Sequence, residues 1–146
     1  MNRAVFSTHF LTRGELDAPE NGIVFSPSEG ARFDFENDGF LKVSEVASQF
    51  DFDLDLLILA GCNSASDTWH NSSILSGFAR PFFAAGVRNL VISHFPVRDD
   101  KSIHLTSPII AARTGYAKVL QASMISAIER PNSTPRDWAW AMYVGR

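Results

Sequence analysis

A mostly parallel α/β sheet with helices on both faces is the fold this sequence predicts. Three observations carry it. First, Leu56-Leu57-Ile58-Leu59-Ala60 is an apolar run that stops at Gly61. It is too short to cross a membrane and suits a strand buried on both faces. Second, Asn89-Leu90-Val91-Ile92-Ser93 repeats that character further along. Third, strand-like and helix-like stretches alternate along the chain, and that order builds parallel sheets covered by helices.

Ala4-Val5-Phe6-Ser7-Thr8 is apolar and β-branched, predicting a strand that ends at His9. Residues 11–21 hold Gly14, Pro19 and several charges, and read as loop. Residues 22–26 read as a short strand stopped by Pro27, with a weakly alternating partner at 31–35. Asn37-Asp38-Gly39 is a turn signal. Val43, Val46, Ala47 and Phe50 fall at helical spacing and predict a short helix over 43–50. After the run ending at Ala60, Ser72 and Ser73 can cap a helix over 74–85. Leu75, Phe78, Ala79 and Phe82 share one face of that helix, and Gly86 stops it. Pro81 removes a backbone donor inside it, a local conflict. The strand at 89–93 is ended by Pro96 and followed by a loop over 97–101. Residues 107–113 look helical, Gly115 breaks the pattern, and 116–129 form an amphipathic helix through Val119, Leu120, Ala127 and Ile128. A loop over 131–135 leads to a last, aromatic-rich strand at 138–144. No crossover helix precedes the first strand, which predicts an open sheet edge. Either further strands belong to a longer parent protein, or a partner chain covers that edge.

A chain of 146 residues predicts one domain with a real core. Apolar residues make up 45% and charged residues 20%, an ordinary globular balance. The net charge of −3 gives no electrostatic case for nucleic acid or an anionic membrane surface. A single cysteine excludes an internal disulfide and fits a reducing compartment, predicting a cytoplasmic location. No run reaches the ~18 apolar residues of a transmembrane helix, and residues 1–6 lack a signal-peptide apolar region. His70, His94 and His104 show no metal-ligand spacing, and no glycine-rich phosphate loop is present. No metal and no cofactor is therefore expected.

The residues that point to chemistry are His9 and Cys62. Each follows a predicted parallel strand, and open α/β sheets place their sites at that carboxyl rim. Neighbouring strands are roughly 4.8 Å apart, so side chains at their ends can converge. A cysteine nucleophile needs a thiolate and a nearby base or cation to form it. A lone cysteine is more often a small buried hydrophobe. The exit from a buried strand into the polar loop Asn63-Ser64-Ala65-Ser66-Asp67 shifts the balance toward function.

Val5-Phe6-Ser7-Thr8-His9 resembles the histidine strand of CHAT domains, caspase-like cysteine peptidases of clan CD. Leu57-Ile58-Leu59-Ala60-Gly61-Cys62-Asn63-Ser64-Ala65 resembles their cysteine strand. The stretch from Gly77 to Val91 looks like their next helix and strand. Phe95-Pro96-Val97-Arg98-Asp99-Asp100 is similar to their tryptophan-proline-valine-aspartate loop, and Trp138-Ala139-Trp140-Ala141-Met142-Tyr143-Val144-Gly145 to their last strand. The interval from His9 to Cys62 is also close to the ~50 residues of caspases. The resemblance covers the family's C-terminal part, from the histidine strand onward. It implies a caspase-like three-layer sandwich lacking the N-terminal strands.

It also implies roles. Cys62 attacks a peptide carbonyl and His9 polarises the thiol and protonates the leaving amine. The backbone amides of Phe10 and Cys62 form the oxyanion hole. Asp99 matches the loop acid with which related separases bind a basic P1 side chain, and arginine suits a carboxylate best. Asp99 reads equally well as a solvated charge or helix cap near Lys101. The implied activity is a cysteine endopeptidase acting on a protein or peptide substrate. The alternative is an inactive or truncated domain acting as an interaction module. Phe10 stands where the family has glycine, which predicts backbone strain beside the oxyanion hole.

Overall fold

The computed structural model describes residues 2–11, 16, 20–25, 39–61, 73–93, 97 and 99–145, without the side chains of 73–78 and 99. Two sheets and five helices make up these residues. The main sheet contains β1 (Arg3–Phe6), β5 (Leu56–Leu59), β6 (Asn89–Ser93) and β7 (Ala141–Gly145), in that spatial order. β1, β5 and β6 run parallel, and β7 is antiparallel to β6. The smaller sheet is antiparallel, β2 (His9–Leu11), β3 (Gly22–Val24) and β4 (Phe40–Lys42) in sequence order. The helices are α1 (Val43–Gln49), α2 (Ser73–Ala84), α3 (Asp99–Ala111), α4 (Tyr116–Ile128) and the short α5 (Pro135–Trp138).

Every residue of β5 is buried, as its unbroken apolar run requires. Alternate side chains feed two separate cores. Leu57 and Leu59 pack with Leu90 and Ile92 under Val46 of α1 and Ala79 and Phe82 of α2. Leu56 and Ile58 pack with Val91 under Leu105 and Ile109 of α3 and Tyr116 and Leu120 of α4. Helices thus cover both faces of a mostly parallel sheet, the three-layer arrangement of a caspase-like sandwich. The small sheet joins the first core through Phe10 and Ile23.

Several boundaries differ from the sequence expectation. His9 does not end the first strand. β1 stops at Phe6, the chain turns at Ser7 and Thr8, and His9 opens β2, opposite Val24. β3 pairs with β2 on one side and on the other with β4, a strand the local pattern did not announce, and the expected pairing segment at 31–35 lies outside the described residues. Gly39 of the turn signal has φ 74°, a conformation that favours glycine. α2 continues through Pro81 and ends before Gly86, at φ 98°. Asp99, Asp100 and Lys101 form the first turn of α3, not a loop; acidic residues suit a helix N-terminus. Trp138 belongs to α5, and the last strand begins at Ala141.

Among the described strands, β1 is one edge of the main sheet, and Val5 in it is 39% exposed. No helix of the described residues is long and apolar enough to cross a membrane.

Candidate active site at the carboxyl rim

The paired rung Phe6–Leu59–Ile92 marks the carboxyl rim of the three parallel strands. His9 is three residues beyond Phe6 in sequence, and Cys62 is three beyond Leu59. The rim is tied above that rung. The Ala60 amide donates to the Phe6 carbonyl at 2.9 Å, which carries the β1–β5 pairing one residue further.

Gly61 is the next residue, and the space around it is closed. A side-chain carbon there would run into the ring of Phe10 and the backbone oxygen of Thr8. The residues on either side of His9 therefore press on the residue just before Cys62. Gly61 is needed for this approach and not for a left-handed turn, since its φ lies outside that region. From the β6 side, the Ser93 hydroxyl donates to the Gly61 carbonyl at 2.7 Å and lies 3.5 Å from the Leu59 carbonyl. Ser93 is 4% exposed.

His9 itself is exposed, while Phe10, next in the strand, points into the core and is buried. The backbone strain expected at Phe10 is not found. Phe10 sits in an ordinary extended strand, and the positive-φ residues other than glycine among those described are Leu16 and Asn132. Its ring fills space against Gly61, so phenylalanine is accommodated as core. The Thr8 hydroxyl donates to the Val24 carbonyl and anchors the turn before His9 to β3. The ring of Phe6 meets that of Phe25 edge-on, with centroids 5.6 Å apart, and fixes the same corner.

Cys62, Trp69, His70, His94 and Phe95 lie outside the described residues. Asp99 opens α3, six residues after β6 ends, on the chain that leaves the same rim. His104 lies on an exposed face of α3. Among the described residues no cluster of His, Cys, Asp and Glu could hold a metal ion. The residue that sequence reasoning passed over is Ser93. The signal was there: a hydroxyl residue ending a buried strand beside the cysteine strand.

The family model of the CHAT domain matches residues 5–146. The chain belongs to the CHAT domain family. The match begins within β1 and takes in both strands that lead to His9 and Cys62. It supports a caspase-like, clan CD peptidase-related domain. No curated protein matches the chain.

Proposed function

We propose that this CHAT domain is a cysteine endopeptidase in which Cys62 is the nucleophile and His9 the general base and acid. The observation that supports this reading best is the packing of Thr8 and Phe10 on Gly61, which brings the neighbours of both residues to one rim. In this reading His9 takes the thiol proton. The thiolate adds to the scissile carbonyl, and the backbone amides of Phe10 and Cys62 receive the developing oxyanion. His9 then protonates the leaving amine as the C–N bond breaks. Water hydrolyses the thioester and returns the thiol. Asp99 is proposed to select a basic P1 residue, since carboxylate and guanidinium pair in a planar, two-bond geometry.

The test is a panel of fluorogenic peptides with arginine, lysine or neutral P1 residues. The expected result is turnover that Cys62→Ala abolishes and that His9→Ala lowers about 10²- to 10⁴-fold. Equal turnover by the wild type and Cys62→Ala would refute the reading.

A second reading, an interaction module whose partner covers the β1 edge, is favoured by the exposure of Val5 there. Light scattering of the purified chain separates the two. A stable, compact monomer counts against the module.

A further inference from the structure

We infer that Thr8 is a positioning residue for His9: its hydroxyl fixes the start of β2, and with it the place of the imidazole at the rim. The catalytic part of this role deepens the endopeptidase reading and rests on it. The geometric part concerns only Thr8, His9 and Val24.

The chain crosses from the main sheet to the small one through Ser7 and Thr8 alone. The near end of that crossing is held at Phe6, whose carbonyl accepts the Ala60 amide at 2.9 Å and whose ring meets Phe25 edge-on. At the far end, backbone direction decides what is held. β3 turns its odd-numbered backbone groups toward β4. The Phe25 amide donates to the Gly39 carbonyl at 2.7 Å, and the Asn21 carbonyl accepts the Val43 amide at 3.0 Å. Antiparallel ladders alternate, so the backbone groups of Val24 face β2, where His9 is the residue opposite. The Thr8 hydroxyl donates to that same Val24 carbonyl. A carbonyl oxygen has two lone pairs and can take the His9 amide and the Thr8 hydroxyl together. The first pair of a three-residue strand is thereby doubled, at the point where a short strand opens most readily. On its other side His9 is followed by Phe10, whose ring is buried in the first core. His9 itself is exposed, so its place at the rim comes from these two neighbours and not from burial. Of the two, only Thr8 holds by a hydrogen bond that one substitution removes without changing the core. Thr8 touches no reacting atom in this scheme; it acts through the backbone of the next residue.

Thr8→Val keeps the shape of the side chain and deletes the hydroxyl. Backbone 15N relaxation reads the geometry without any substrate. In the wild type the His9 amide is expected in the rigid range, with an order parameter near ~0.85, and in Thr8→Val it should fall toward the ~0.6 of flexible backbone. The amides of Leu57, Ile58 and Leu59 in the central strand should not change. Thr8→Ser keeps the hydroxyl and should return His9 to the rigid range. On the best peptide substrate, Thr8→Val is expected to lower kcat about tenfold or more with KM within about twofold, since a loosened base is misplaced in the transition state while substrate binding is kept. Thr8→Ser should recover most of that loss. Thermal melts on the same samples report folding, and Thr8→Ala carries the test if the valine variant unfolds. An unchanged His9 order parameter overturns the inference whatever the turnover, and when kcat and melting temperature fall with it unchanged, the role is merely structural. A loosened His9 with unchanged kcat overturns it as well, and so does a serine variant no better than the valine one. Absence of Cys62-dependent turnover in the wild type, with His9 still loosened by Thr8→Val, refutes the endopeptidase reading and with it the catalytic part, leaving the geometry standing.

Discussion

Gly61→Ala is the perturbation that probes the rim most directly. The new methyl meets two obstacles at once, the edge of the Phe10 ring and the Thr8 carbonyl oxygen. The ring can rotate or shift, but the backbone oxygen belongs to the turn that the Thr8 hydroxyl ties to β3. Overpacking of this kind costs about 1–3 kcal/mol. Because the φ of Gly61 is not left-handed, conformational strain adds nothing and the whole cost is steric. Phe10→Leu shortens the ring edge at less than the ~3–5 kcal/mol of a full Phe→Ala truncation. In the double variant the two costs should fall short of their sum by about 0.5–3 kcal/mol, as for residues in contact. The carbonyl clash survives, so the double variant still lies below the wild type. Urea unfolding followed by tryptophan fluorescence measures this, with the fully buried Trp140 as one reporter. The slope must stay constant for the comparison to hold. A Gly61→Ala variant within about 0.5 kcal/mol of wild type, or strictly additive costs, would show that Thr8 and Phe10 do not close on Gly61 as described.

Other outcomes follow from particular contacts. Gly86→Ala combines a φ of 98° with a clash on the Phe52 carbonyl and should cost about 2–5 kcal/mol. Gly115→Ala, at φ 68° in open space, should cost only about 1–2 kcal/mol; equal melting temperatures for the two variants would contradict this. Burial, then the hydrogen bond to Asp55 and its charge, hold the Tyr116 hydroxyl proton above the ordinary 10.0. A raised value means stability intact below pH 10.0 and lost as pH climbs through it, so urea midpoints should fall on the alkaline side, and less so for Tyr116→Phe. The backbone amide and hydroxyl of Thr134, then Lys101 at 3.4 Å, hold the Asp137 carboxyl below its ordinary 3.8. A lowered value means stability present above pH 3.8 and lost as pH falls through the folded-state value. Asp137→Asn should flatten that acid limb in the same titration.

What the sequence disclosed followed from how each element is stabilised. β5 and β6 are legible because a strand buried on both faces must be continuously apolar. α4 is legible because its buried Tyr116, Leu120 and Ala127 repeat at helical spacing, and α1 because its apolar residues do, although Val46 alone among them is buried. β2 and β4 are three residues long, too short for alternation to register, and tertiary packing on the first core defines them. The start of α3 was hidden by its polar first turn, while Ser107-Pro108 imitates a helix start inside it. α5 could have been found, because Thr134-Pro135-Arg136-Asp137 spells a capped start with proline at the first turn. At the rim, the end of β5 could be anticipated from its apolar run, whereas His9 could not be placed by a strand end, because it opens β2 instead of closing β1. That Phe10 would serve as packing, and that Ser93 would reach across to Gly61, depends on contacts between residues far apart in sequence.

The double burial of β5 leaves its sliding position poorly encoded by polarity. Leu56, Leu57, Ile58 and Leu59 are interchangeable in apolar character, so a shift by one residue would still offer oil to both compartments. Only the ends can pin it. At one end Asp55 accepts a hydrogen bond from Tyr116, and at the other only a residue without a side chain fits beneath Phe10. A glycine beside the proposed nucleophile thus doubles as the notch that stops the central strand from slipping.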